Sequence, residues 1–381
     1  VKVNAEKYGI PVIELGRDDK INISFDQLSH EAHNYGYAVV HCNADFSESS
    51  ISTTEFLQGY TTADITDVSL SQTTTVLYTH YRFSLPNEDM NLTLAGNYAA
   101  IIYEDNNRNK PVAVACFSIV EPKVDIQAKV RGNTDTELNA SKQQLDFEIS
   151  PKGYTIRDVN SELKVVVRQN NRYDNEIVNL APTYFSVNNY KYINNKNLIF
   201  EGGNEYHRFD ISSVYTAATG VDYVRYQDQN YEVFLYPNRI NRAAVYSHDF
   251  DVNGRYVINH QEAMDDPNTE GDYLQVHFRL DVDYPFADGK VFIGGDWNYN
   301  LLDEAAEMQY NSALKAYTKT LLLKQGGYNY QYWLLGNRQR KATTAAIDGS
   351  YWQTRNEYTI YVYHRPWGGR YDKLVGIKTI E

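Results

Sequence analysis

From Tyr328 to Trp333 three tyrosines (Tyr328, Tyr330, Tyr332) alternate with Asn329, Gln331 and Trp333. A strict period of two gives two different faces only in an extended strand, so this stretch restricts the fold more than any other. The run from Tyr317 to Leu323 alternates as well, and the Gly326-Gly327 pair between the two can adopt the positive φ of a tight turn. The pattern predicts a hairpin with aromatic-rich faces, with Tyr328, Tyr330 and Tyr332 towards a core and Trp333 on the surface.

The same alternation recurs along the chain. Leu274, Val276, Phe278 and Leu280 are set against Gln275, His277 and Arg279. Leu145, Phe147 and Ile149 form one apolar set, and Leu163, Val165 and Val167 another. Tyrosine is the preferred large residue, at 34 against 14 Phe and 3 Met, and it suits half-buried strands with its apolar ring and polar tip. The best helix candidate, Leu301 to Leu314, is weakly amphipathic. An all-β fold is expected.

A chain of 381 residues exceeds one ordinary core. Turn signals divide it into three consecutive β-sandwich, immunoglobulin-like domains, at 1–122, 123–264 and 265–381. The first contains strands at Ile21 to Phe25, Tyr35 to Cys42, Gly96 to Tyr103 and Val112 to Val120, with Asp105, Asn106 and Asn107 as a turn, and it ends at Glu121-Pro122. The polar stretch from Gln261 to Asp272 reads as the linker into the third.

A net charge of −13 argues against nucleic acid as a partner. No apolar run reaches the ~18 residues of a membrane helix, so the chain is not expected to span a bilayer. There is no phosphate loop, dinucleotide fingerprint, H-E-x-x-H or paired C-x-x-C. His41, His80 and His277 fall on strands and read as hydrogen-bonded structural residues. Asp251 to Gly254 reads as a turn, lacking the spacing of a calcium loop. Asp265, Asp266, Glu270 and Asp272, like Asp303, Glu304 and Glu307, read as solvated surface, not as a glycosidase pair. Cys42 and Cys116 read as free thiols. No catalytic residue, cofactor or metal is assigned, and the chain is expected to be non-enzymatic. The candidate binding residues are Trp297, Tyr299, Trp333 and Trp352, whose rings could stack on sugars or anchor a protein interface.

Two resemblances add to this reading. Gly289 to Asn298 (GKVFIGGDWN), followed by GGYNYQYW, resembles the glycogen- and starch-binding early-set module. It implies a β-sandwich over 270–365 and, as an alternative function, α-glucan binding through Trp297, Tyr299 and Trp333. Asn300 stands where that pattern has a second tryptophan, and Gln331 where a lysine is usual.

The second resemblance spans the chain. Ile23 to Phe46 (ISFDQLSHEAHNYGYAVVHCNADF), Thr79 to Asn87 (THYRFSLPN), Ala95 to Asp105 (AGNYAAIIYED), Val165 to Asn175 (VVVRQNNRYDN), Gly202 to Asp210 (GGNEYHRFD), YWQTRNEYTIYVYHR and RYDKLVGI follow in order. Together they resemble the plug protein family of the Bacteroidetes type IX secretion system. That resemblance implies a soluble periplasmic protein of β-sandwiches, exported by a signal peptide removed before Val1. It also implies an outer-membrane translocon barrel as the partner, capped at its periplasmic mouth.

Overall fold

The structure is a computed structural model that describes residues 1–5, 9–31, 33–105, 107–216, 218–241 and 245–381, so Asn106 of the expected turn lies outside it. The period of two becomes burial as the sequence predicts. In Tyr273–Asp281, Leu274, Val276, Phe278 and Leu280 are buried, whereas Gln275 is exposed and His277 and Arg279 are half-buried. Helix is confined to short turns, and Leu301 to Leu314 forms none. The chain is all-β, built as sandwiches.

The first sandwich pairs Lys2–Asn4, Ile21–Gln27, Thr79–Leu85 and Asp67–Leu70 in one sheet. The facing sheet orders Val12–Glu14, Pro111–Val120, Gly96–Glu104, Tyr35–Cys42 and Ala63–Asp64, its first pair parallel. Tyr81, Tyr98, Phe117 and Ile23 fill the space between them.

The other two sandwiches depart from the expected consecutive order. Leu163–Gln169 pairs with Tyr358–His364, and that strand with Lys373–Ile380. This C-terminal sheet packs on Asp125–Arg131, Lys142–Ser150 and Asn189–Tyr192, so Phe147 and Val165 share one core with Ile360, Val362 and Val375. The third sandwich lies between His207 and Ile347 and is inserted into the middle one. The expected boundary after residue 264 falls within it, because Tyr256–Ile258 pairs with Gly326–Leu335. Linear turn signals mark where strands end, but partners are set by which apolar faces can cover each other.

At the two crossings into the insertion, buried amides hold the chain. Asn356 Nδ2 donates to the Gly202 carbonyl at 2.6 Å and to Gln143 Oε1 at 2.9 Å, and Asn170 Nδ2 donates to Asn356 Oδ1 at 2.7 Å.

The expected hairpin is also corrected. Ala316–Lys324 pairs with Tyr273–Asp281 in one sheet, while Gly326–Leu335 joins His207–Asp210, Tyr256–Ile258 and Lys290–Gly294 in the other. Gly326 serves close approach instead of a tight turn. A Cβ on Gly326 would lie 2.1 Å from the Val257 carbonyl oxygen. Gln325, at the crossing, donates its backbone N–H to the Asp272 carbonyl at 2.8 Å, and its Oε1 accepts from Asp272 N at 2.9 Å. Gly326→Ala is therefore expected to destabilise by about 1–3 kcal/mol, as overpacking does. Urea unfolding checks this, and an unchanged midpoint would contradict the close approach.

Candidate functional site

The three tyrosines lie in the core of the inserted sandwich. Tyr328 stacks on Phe209 at 5.1 Å, and Tyr330 meets Phe278 edge-on at 5.3 Å. Tyr330 and Tyr332 both donate to Asn238 Oδ1 at 2.8 Å.

The four candidate binding residues do not form one surface. Trp333, expected outside, is fully buried with Tyr206 and Ala342. The face opposite the tyrosines is covered by loops bordering the insertion and by Arg172 of the middle sandwich, which lies over the Trp333 ring at 4.8 Å. Its indole N–H donates to Gln331 Oε1 at 3.1 Å. Trp297 is half-buried and donates to the Asn329 carbonyl at 3.1 Å. Trp352 covers Gly132, where a Cβ would come 2.5 Å from its ring. Tyr299 alone of the four is exposed; it has left-handed backbone, and its hydroxyl donates to the Val1 carbonyl.

The sequence reading passed over the most exposed tryptophan. Trp367 is 91 % exposed on the loop between Tyr358–His364 and Lys373–Ile380. Its signal was local: Arg-Pro-Trp-Gly-Gly-Arg is a turn, and a turn has no partner strand to bury an indole.

Buried polar groups concentrate where the sandwiches meet. Asp26 and Lys324, 7 % and 6 % exposed in their side chains, pair at 2.5 Å between the first sandwich and the insertion. Tyr273 donates to the same carboxylate at 2.7 Å, His80 meets it from the other side, and Lys324 lies over the Tyr78 ring at 4.0 Å. Burial raises the Asp26 pKa, but His80 and Lys324 outweigh it and hold the carboxyl below its ordinary range.

The stretch expected to be a solvated linker packs into this junction. Asp272 is buried and accepts from Thr75 N at 2.8 Å, Thr75 Oγ1 at 2.6 Å and Val76 N at 3.0 Å. Tyr78 donates to the Gly271 carbonyl at 2.8 Å.

Asp372, fully buried, fixes the middle sandwich to the first by accepting from Ala44 N at 3.0 Å, Lys164 at 2.9 Å and Arg365 at 2.8 Å. Arg255 closes the third junction on both oxygens of Glu357, at 2.7 and 2.6 Å.

The strand histidines are hydrogen-bonded. His41 contacts Ser49 Oγ at 3.0 Å, and burial pushes its pKa down to about 4. His277 meets Thr320 Oγ1 at 2.9 Å. Cys42 and Cys116 are free, the first buried and the second half-buried. Among the described residues no group of three His, Cys, Asp or Glu side chains is placed to hold a metal, and no helix is long and apolar enough to cross a membrane. The three sandwiches are thus joined pairwise by buried polar junctions.

Residues 1–121 match the family model for the type 9 secretion system plug protein 1st domain. The crystal structure of a hypothetical protein from Parabacteroides merdae is 40 % identical and superposes with a TM-score of 0.96, covering 100 % of this chain and 96 % of that one. No curated protein sequence matches the chain. The chain therefore opens with a domain of the type 9 secretion system plug family, and over its whole length it shares the fold of that Parabacteroides merdae protein.

Proposed function

We propose that this protein is a non-enzymatic periplasmic plug that seals the periplasmic mouth of the type IX secretion barrel through protein–protein contacts. The observation that carries the reading is the plug first-domain match over residues 1–121. The junctions add a physical reason. A plug must resist deformation, and the first sandwich is tied to the insertion through Asp26 and Asp272 and to the middle one through Asp372. Arg255 and Glu357 complete the third side. Each of these carboxylates receives charged or backbone donors in a buried setting, where breaking a pair is costly. Release would then move the body as a whole.

Affinity purification of the cognate outer-membrane barrel tests this. The protein is expected to co-purify with the barrel in stoichiometric amount, and its clean absence from that complex would overturn the reading.

A further inference from the structure

The seam between the middle sandwich and the insertion holds a cavity of about 410 Å³, within the range of small-ligand sites. Ile199 gives it an apolar wall, and the loop following Gly326–Leu335 brings Arg340 and Lys341 to its rim. Both cations are exposed, and neither forms a salt bridge among the described residues.

The other charges there are occupied. Arg172 donates to Asp174 at 3.0 and 2.7 Å and to the Ala342 carbonyl at 3.0 Å. Glu201 accepts from Thr343 Oγ1 at 2.6 Å. Asn175, 6 % exposed, also lines the cavity; its Nδ2 donates to Gln169 Oε1 at 3.2 Å, while its Oδ1 has no partner. A buried acceptor without a donor is costly, and a ligand N–H would relieve it.

We propose that this cavity binds the carboxyl terminus of a peptide. The terminal carboxylate sits between Arg340 and Lys341, the last apolar side chain lies on Ile199, and the last backbone N–H serves Asn175 Oδ1. Guanidinium and ammonium groups both bind carboxylate strongly, and the guanidinium fork adds direction. Free phosphate would use the two cations but leave the apolar wall and Asn175 unmet. A peptide amide would keep those two contacts and lose the charge.

Calorimetry on the whole chain with acetyl-Ser-Leu-Phe as the free acid, the same peptide as its C-terminal amide, and inorganic phosphate separates these cases. The free acid is expected to bind at least about tenfold more tightly than the amide or phosphate, a difference of about 1.4 kcal/mol. The double variant Arg340→Ala, Lys341→Ala changes exposed side chains only, so it should keep its melting temperature and lose binding by a similar factor. Equal binding of acid and amide, equal binding of phosphate, no binding of the acid at millimolar concentration, or wild-type binding by the folded double variant would each overturn the proposal. Co-purification of the double variant with the barrel is read separately from peptide binding, so failure of this proposal and failure of the plug reading are distinguished.

Discussion

Trp333→Ala is expected to lower stability by about 3–5 kcal/mol, the usual loss when a buried tryptophan is truncated. The substitution removes the ring against which Tyr206, Ala342 and the Arg172 guanidinium pack. It also leaves Gln331 Oε1 without the indole donor, adding the cost of an unsatisfied buried acceptor. Trp367→Ala is the matched control: its ring is 91 % exposed, so the change should stay within about 0.5 kcal/mol. Chemical denaturation of the two variants reads both values. A small effect at Trp333 would return it to the surface, where the sequence had placed it.

Asp26→Asn is expected to be as severe, at about 3–5 kcal/mol, because removing one member of a buried pair strands the other. Lys324 would keep the Asn268 carbonyl at 2.5 Å and the Tyr78 ring, but would lose its directly paired counter-charge. The pH dependence has a definite sign. The folded-state pKa of Asp26 lies below the unfolded value of about 4, so its stabilisation is complete above that pH. It is lost as the pH falls through the lower folded value. The difference between wild type and Asp26→Asn should therefore be constant near neutrality and shrink in acid. Urea titrations from pH 7 to pH 3 check this, and a gap that did not narrow would assign the loss to packing alone.

Both predictions concern surfaces between sandwiches, and these are where sequence patterns reach their limit. Alternation in Tyr273–Asp281 identified inside and outside correctly, because one face of that strand meets a core and the other meets solvent. Along Gly326–Leu335 the same rule identified Tyr328, Tyr330 and Tyr332 as core and failed at Trp333. That strand is covered on both faces, on one by the opposite sheet and on the other by loops bordering the insertion and by Arg172 of the middle sandwich. Asp272 escaped for a related reason: an acidic, Asn- and Pro-containing stretch has the composition of solvated chain, and its donors at Thr75 and Val76 are some two hundred residues away.

Local sequence was enough for the strands, most of their inward faces, the turn at Asp251 to Gly254, and the family resemblance, since these depend on neighbours or on ordered blocks of residues. Strand partners were not available in the same way. Leu163–Gln169 finds Tyr358–His364 across an entire inserted sandwich, and nothing in either strand records the other's position. Gly326 likewise carries no mark of whether it allows a turn or the approach of Val257. Those choices are made by the simultaneous burial of several apolar faces, a property of the folded assembly and not of any one stretch of chain.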